Sequence, residues 1–381
     1  MTAEIVDPPI EAVALPGAGR AALGRLMNAH VVRRIIALLA IVPRASQEAP
    51  REAPALNALV DYLVALSPED TKLLFGDARS AGAIARVLWA AVEQRGLLAQ
   101  RISTLPSHIP ALSGRVSRDW EVIVSPGEAV PLNEEIVIRN ISPGERKVRL
   151  EELSDERGLM PEERIRITDL RLEVFDPRDI PELSERRLPE EGKSELSFPE
   201  LESELNGALD AIHDAWPEAM EDVRTFFRGL LAMKMPAERW NSASTGEYPR
   251  VLQLTLKPGG EPLLLAESIL HESSHTKLDI AMALQTLLVD DGVRRYRHPW
   301  RPDLRPITGV LLGAHAFLAV LEFYRRVVRS TGDPLAKREV ATREREVGIA
   351  IDLLDREGSF TSAGRSLFGQ MREAYFGGHR G

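Results

Sequence analysis

The sequence predicts an α+β fold in which helices dominate and a small antiparallel β segment interrupts them. Apolar residues recur at spacings of three and four in residues 20–100 and again after residue 205, as in amphipathic helices. Residues 120–177 instead hold short runs rich in β-branched residues, separated by turn residues. With 381 residues, the chain can form two domains or one large domain with a deep core.

These patterns divide the chain into four regions. Residues 1–115 are expected to form an N-terminal helical region and residues 116–180 a β-rich segment. Residues 181–204 are rich in Pro, Glu, Arg and Ser, a composition typical of a linker. Residues 205–381 are expected to form a helical, metal-binding catalytic domain.

Within the first half, residues 80–100 predict an amphipathic helix. Two Ser-Pro-Gly-Glu turns, at 125–128 and 142–145, separate the β-rich runs and predict a meander. The run RIRITDLRLEVFDP at 164–177 alternates polar and apolar residues and predicts one further strand.

The second half predicts mostly helix. Residues 205–233 and 309–328 have helical patterns, and residues 267–288 form a third helix between them. The run VLQLTLK at 251–257 predicts a strand. Residues 299–306 contain three prolines and predict a stiff loop.

Composition excludes several classes of function. The net charge of −9 and the pI of about 5.6 argue against a nucleic-acid partner. The absence of cysteine excludes disulfides, cysteine-ligated zinc and iron–sulfur clusters. The N-terminus, MTAEIVD, lacks the basic start of a signal peptide, and the apolar run at 35–42 stops at Pro43, too short to span a membrane. We therefore expect a cytoplasmic protein without a membrane partner.

The segment His271-Glu272-Ser273-Ser274-His275 is an HExxH motif within the 267–288 helix. Residues four apart lie on one face of a helix, so His271 and His275 are expected to bind one divalent metal together. Glu272 is the candidate catalytic acid or base.

Two histidines normally need a third protein ligand. The metzincin continuation is missing, because positions 278 and 281 are Leu and Ala. We favour His315, because it lies in an otherwise apolar helix where a polar ring needs a partner. The alternatives for His315 are a core histidine bonded to a carbonyl, or third ligands at His298, Glu322 or Asp279.

The stretch HPWRPDLRP places Arg301 and Arg305 among prolines between the helices that carry the candidate ligands. Arginine presents a rigid fork that suits a carboxylate, so the pair could grip an anionic cosubstrate. Pairing of either arginine with Asp303 is the simpler alternative.

Together, the serines of Asn241–Ser244, AESILHESSHTKL, HPWRPDLRP and GVLLGAHAF resemble HExxH-type peptide-modifying proteins made alongside ribosomal natural products (RiPPs). The resemblance covers about residues 205–330. It implies an Fe(II)- and 2-oxoglutarate-dependent dioxygenase that uses O2 to β-hydroxylate a side chain of a ribosomally made precursor peptide. It implies His271 and His275 as iron ligands, Glu272 as the motif acid, and a cosubstrate-binding arginine in the Arg301–Arg305 loop.

Two other functions stay open. In a zinc metallopeptidase, Glu272 would be the general base that activates a metal-bound water. In a non-enzymatic scaffold, the chain would only bind a peptide. Under either the enzyme or the scaffold hypothesis, the β-rich segment could bind a leader peptide as an added strand.

Overall fold

The fold was obtained as a computed structural model, and it is a predominantly helical α+β fold, as the sequence predicts. The structure describes residues 13–17, 19–65, 78–92, 98, 102, 120–122, 135–140, 144–149, 164–167, 170–174, 194, 196–234, 242–245 and 248–377. The first Ser-Pro-Gly-Glu turn, at 125–128, lies outside these residues.

The N-terminal helices are α1 (Arg20–Glu48), α2 (Ala53–Ala65) and α3 (Ala78–Val92). Helix α1 continues through Pro43, the residue that ends the apolar run at 35–42. Pro43 is exposed while Leu38 and Ala45 on either side of it are buried, so packing keeps both halves in one helix.

Two helices in the described part of the chain are long and apolar enough to cross a membrane by length and composition. They lie within α1 (residues 21–48) and at Ile307–Thr331. Core helices of soluble proteins and signal sequences pass the same test, and two-thirds of the second apolar window is buried inside the fold.

The β-rich segment contains strands β1 (Trp120–Val122), β2 (Glu135–Asn140) and β3 (Gly144–Arg149). They pair antiparallel in the order β1-β2-β3, which is the predicted meander. Next come β4 (Arg164–Ile167) and β5 (Leu170–Val174), two antiparallel strands where one was predicted.

Strands β4 and β5 belong to a larger mixed sheet that also uses later parts of the chain. It adds β6 (Gly229–Lys234), β7 (Ser242–Thr245) and β8 (Tyr248–Leu256), in the order β4-β5-β6-β8-β7. The pairs β5–β6 and β6–β8 are parallel. One sheet therefore contains strands from both the predicted β-rich segment and the predicted catalytic domain.

Helix α4 (Phe198–Ala215) begins inside the predicted linker, so residues 198–204 are not a linker. Its start is a capping box, in which Ser197 and Glu200 satisfy each other's backbone amides. Helix α5 (Ala219–Phe226) follows. The predicted helix at 205–233 ends early because residues 229–234 pair with β8 as strand β6.

The remaining elements surround the motif. They are α6 (Pro262–Leu284), β9 (Leu288–Val289), β10 (Tyr296–His298), β11 (Arg301–Arg305), α7 (Ile307–Thr331), α8 (Pro334–Glu357), β12 (Ser359–Phe360) and α9 (Ser362–Gly377). The predicted loop at 299–306 is instead part of the β10–β11 hairpin.

The apolar core joins the N-terminal helices to the motif helix. Leu23 and Leu26 of α1 share one cluster of buried residues with Leu278 and Ile280 of α6. Residues of α1 to α3 also form a second cluster among themselves. The N-terminal helical region thus packs directly on the motif helix.

Candidate metal centre

The histidine pair lies on α6, as the four-residue spacing predicts. His271 and His275 are each half-buried, and their Nε2 atoms are 2.9 Å apart. The two rings meet edge to face, with centroids 4.5 Å apart. The helix therefore brings two imidazole nitrogens to one point.

Both histidines are held in the neutral form that metal binding requires. Burial, with His275, Arg343 and Arg301 nearby, lowers the pKa of His271 well below its usual value. Burial likewise lowers the pKa of His275, against an opposing effect of Glu272. At neutral pH the pair can thus offer two lone pairs.

The separation of the two nitrogens fits one divalent ion. Two nitrogens at about 2.1 Å from an ion, and at about 90° to each other, lie about 3.0 Å apart. The observed 2.9 Å agrees with that octahedral arrangement and also with a hydrogen bond between the rings. Among the residues that the structure describes, no three His, Asp or Glu side chains form a group that could hold a metal ion.

His315 does not join this pair. It is fully buried on α7, and its Nε2 lies 2.6 Å from the carbonyl oxygen of Val13. Burial, with the Lys277 charge nearby, lowers the pKa of His315 to about 3. The structure therefore corrects our favoured third ligand and agrees with the alternative, a core histidine bonded to a carbonyl.

The other candidate ligands have different surroundings. Glu322 forms ion pairs with Arg326 and Arg329, each at 3.0 Å. His298 lies on β10, with its ring centroid 5.8 Å from that of Trp300. These two are not brought to the histidine pair as a third ligand.

Asp279 follows His275 by one turn on α6. Its side chain reaches solvent, yet surrounding protein desolvates it and, with Glu272 nearby, raises its pKa to about 7. It too forms no metal-binding group with the pair.

Glu272 turns toward the mixed sheet. Its Oε1 accepts from Ser242 Oγ at 2.7 Å and its Oε2 from Ser244 Oγ at 2.8 Å. The side chain is 4% exposed. Two hydroxyl donors on alternate residues of β7 thus fix both carboxylate oxygens. The sequence pointed to these serines only through the resemblance, without a role.

An aromatic wall of Phe317 and Trp300 stands beside the pair. The Phe317 ring meets His271 edge to face, with centroids 4.5 Å apart. Trp300 stacks on Phe317, also at 4.5 Å, and donates from Nε1 to Glu346 at 3.1 Å. The wall orients the His271 ring and links it to the β10–β11 hairpin.

A charged network supports this wall, and sequence reasoning missed it. Arg343 of α8 lies over the Phe317 ring at 4.9 Å and bonds Glu267 and Glu346, each at 2.8 Å. Tyr324 donates to Glu267 at 2.8 Å. The available signal was Glu267 itself, which precedes His271 by one helical turn.

We expect Gly313→Ala to displace Trp300. A Cβ at position 313 would lie 2.9 Å from the Cε3 and Cζ3 atoms of Trp300, closer than side chains pack. Trp300 thus packs directly against the backbone of α7 at Gly313. The variant should lose about 1–3 kcal/mol of stability and change the tryptophan near-UV circular dichroism.

Gly369→Ala is the matched control, because a Cβ at that helical position meets nothing within 4 Å. It should leave the spectrum unchanged and alter stability by at most about 1 kcal/mol, in the stabilising direction. Equal spectra and equal stability for both variants would contradict the assigned position of Trp300.

The two arginines of the β10–β11 hairpin differ in whether their side chains form an ion pair. Arg305 pairs with Asp303 at 2.8 Å, the simpler alternative. Arg301 is exposed, and its charge contributes to lowering the pKa of both motif histidines. Within the described part of the chain, the Arg301 side chain makes no hydrogen bond or ion pair, although its charge helps to lower the pKa of the neighbouring Asp303. Arg301 is therefore the available cation beside the histidine pair.

Comparison with known proteins adds no relative: no family model matches the chain, and no curated protein matches it.

Proposed function

We propose that the chain is an Fe(II)- and 2-oxoglutarate-dependent oxygenase that β-hydroxylates a side chain of a ribosomally made precursor peptide. His271 and His275 would hold the metal, and Arg301 would bind the far carboxylate of the cosubstrate. The observation that carries the proposal is an unpaired arginine beside two neutral histidines whose nitrogens are 2.9 Å apart. Bound iron, with 2-oxoglutarate and O2, would supply oxidation of a carbon–hydrogen bond.

The charges around the pair support an anionic cosubstrate. Two neutral imidazoles leave the positive charge of a divalent metal uncompensated by protein. Arg301 adds a further positive charge, and its planar fork binds a carboxylate through two hydrogen bonds. A dicarboxylate that reaches from metal to arginine would offset both charges. Phe317 and Trp300 would line the same space and limit the access of water.

The position of Glu272 argues against the metallopeptidase alternative. A general base must reach the water that it activates. Here both carboxylate oxygens accept hydrogen bonds from β7 hydroxyls, and the side chain is nearly inaccessible. We assign Glu272 the role of joining β7 to α6, which leaves neither carboxylate oxygen free to act as the general base of a peptidase.

The experiment uses the purified chain under anaerobic conditions with Fe(II). Addition of 2-oxoglutarate should produce a weak visible charge-transfer band. With O2 and a precursor peptide encoded nearby, succinate should form and the peptide should gain one oxygen by mass. Cleavage with zinc and without 2-oxoglutarate would establish the peptidase instead. Peptide binding without either reaction would establish the scaffold.

The leader peptide, if one is used, would add to an edge of the β1–β3 sheet. Both β1 and β3 are edge strands of this sheet in the described residues. An extended peptide could pair with either one through its main chain.

We expect Arg301→Ala to weaken 2-oxoglutarate binding with little change in iron binding. Losing a charged, two-bond contact to a carboxylate costs about 1.5–3 kcal/mol, or roughly 10- to 100-fold in cosubstrate affinity. Titration of the charge-transfer band measures this affinity. Arg295→Ala, in the same exposed segment but paired with Asp291, is the control and should bind normally. Equal affinities for the two variants would remove Arg301 from the site.

A further inference from the structure

The β10–β11 hairpin and the turn before it concentrate positive charge on an acidic chain. Residues 290–305 contain five arginines and three aspartates, whereas the whole chain has a net charge of −9. Arg295 pairs with Asp291, and Arg305 pairs with Asp303. The third aspartate accepts a hydrogen bond from the backbone of α7 instead. The other three arginines form no ion pair within the described part of the chain.

One of these three is Arg301, which we assign to the cosubstrate; the other two are Arg294 and Arg297. Both side chains are exposed, and among the described residues neither forms a hydrogen bond, an ion pair or a ring contact. Arg297 lies in β10 between Tyr296 and His298, which are half-buried. Because side chains alternate along a strand, Arg297 points away from the fold. Two cations are therefore available to a partner in solution.

Apolar side chains are exposed close to these two arginines. Val293 directly precedes Arg294 and is 49% exposed, and Leu304 of the paired strand β11 is 41% exposed. A single exposed apolar residue needs no explanation, but two beside unpaired cations make a surface that is both basic and apolar. We call Val293, Arg294, Arg297 and Leu304 the outer hairpin surface.

The outer hairpin surface lies on the element that reaches the histidine pair. Trp300, in the turn between β10 and β11, stacks on Phe317, and Phe317 meets the ring of His271 edge to face. The ring centroids are 4.5 Å apart in both contacts. Arg297 precedes Trp300 by three residues, so their Cα atoms are at most about 11 Å apart. An extended peptide of a few residues can therefore reach from this surface to the proposed metal.

We propose that the outer hairpin surface binds an acidic, partly apolar segment of the substrate peptide, next to the residue that is hydroxylated. This inference rests on the proposed function in taking the substrate to be a peptide. Carboxylates of the peptide pair with the guanidinium groups of Arg294 and Arg297. Its apolar side chains cover Val293 and Leu304. The net negative charge of the chain repels an acidic peptide elsewhere and so directs it to this surface.

The proposal is tested on the full chain without metal, by NMR titration after labelling with ¹⁵N-arginine, which measures weak binding. The probe is a soluble peptide that repeats Glu-Leu-Ser, and the matched peptide has Gln in place of every Glu. The Glu peptide should bind more tightly, and sodium chloride should weaken its binding. Equal binding of the two peptides would overturn the proposal.

Two double variants locate the binding surface. Arg294→Gln with Arg297→Gln should lower the affinity for the Glu peptide roughly 2- to 30-fold, as expected for the loss of two exposed ion pairs. Arg25→Gln with Arg33→Gln removes the same charge from exposed positions of α1, and should bind like the unmodified chain. Equal affinities for the two double variants would show that only the total charge matters and would overturn the proposal.

Two further outcomes are informative. Tighter binding of polyuridylate than of the Glu peptide would overturn the proposal in favour of a nucleic-acid partner. Because the titration needs neither iron nor 2-oxoglutarate, its result is independent of the charge-transfer band. A band without binding of the Glu peptide would refute the docking surface and leave the proposed function standing. Binding of the Glu peptide without the band would support the docking surface and refute the oxygenase.

Discussion

Lys277→Met should destabilise the fold by about 3–5 kcal/mol, because it leaves a buried carboxylate without its partner. Lys277 and Asp222 are 0% and 1% exposed, and Nζ lies 2.6 Å from Oδ2. Lys277 also donates to the Leu15 carbonyl at 2.8 Å, while the Gly17 amide donates to Asp222 at 3.3 Å. The pair therefore holds α5, α6 and the N-terminal segment together.

Urea unfolding of three variants separates this cause from loss of packing. The double variant Lys277→Met with Asp222→Leu should recover most of the loss, since an apolar pair of similar volume replaces the charges. Arg372→Met is the control, because its pair with Asp355 is exposed and worth at most about 1 kcal/mol. If the double variant is less stable than the single one, the cost comes from packing and not from the unpaired charge.

His271→Ala and His275→Ala are expected to have the largest effect on function. Each variant removes one of the two metal ligands that we propose. Mutation of a residue that only hydrogen-bonds a metal ligand lowers metal affinity roughly 10–100-fold, and loss of a ligand itself should lower it more. Turnover should be lost with it. Bound iron after desalting, measured by elemental analysis, checks the prediction independently of the peptide substrate.

The exposed His213 provides the control: His213→Ala should retain metal. Circular dichroism must confirm that the ligand variants remain folded. Full metal retention by either ligand variant would show that His271 and His275 are hydrogen-bonded to each other and do not bind an ion. Glu272→Gln adds a second comparison. In the oxygenase that we propose, the Glu272→Gln variant should still bind metal through the two histidines. In a peptidase, the same change would remove the general base and lower the rate of peptide cleavage roughly 10²- to 10⁴-fold.

The pairing of the two motif histidines was predictable from sequence because it depends on local geometry alone. His271 and His275 share a face through helical periodicity, and no other part of the chain is needed to bring them together. The predominance of helix and the β1–β3 meander follow from equally local patterns of apolar and turn residues. The buried environment of His315 was also predicted, together with its need for a partner.

The identity of distant partners was not predictable. Glu272 bonds serines 28 and 30 residues away, Lys277 bonds Asp222 55 residues away, and His315 bonds a carbonyl 302 residues away. A single sequence shows that a polar group must be satisfied but not by which atom, since close packing brings together segments with no sequence relation.

The sequence by itself thus determined the fold class and the paired histidines, since periodicity sets both. Only the tertiary structure decided that β5 pairs with the later strand β6 and that His315 contacts the carbonyl of Val13. It also decided that Arg305, and not Arg301, forms an ion pair with Asp303. These outcomes depend on which surfaces bury one another, a long-range property that local patterns do not encode.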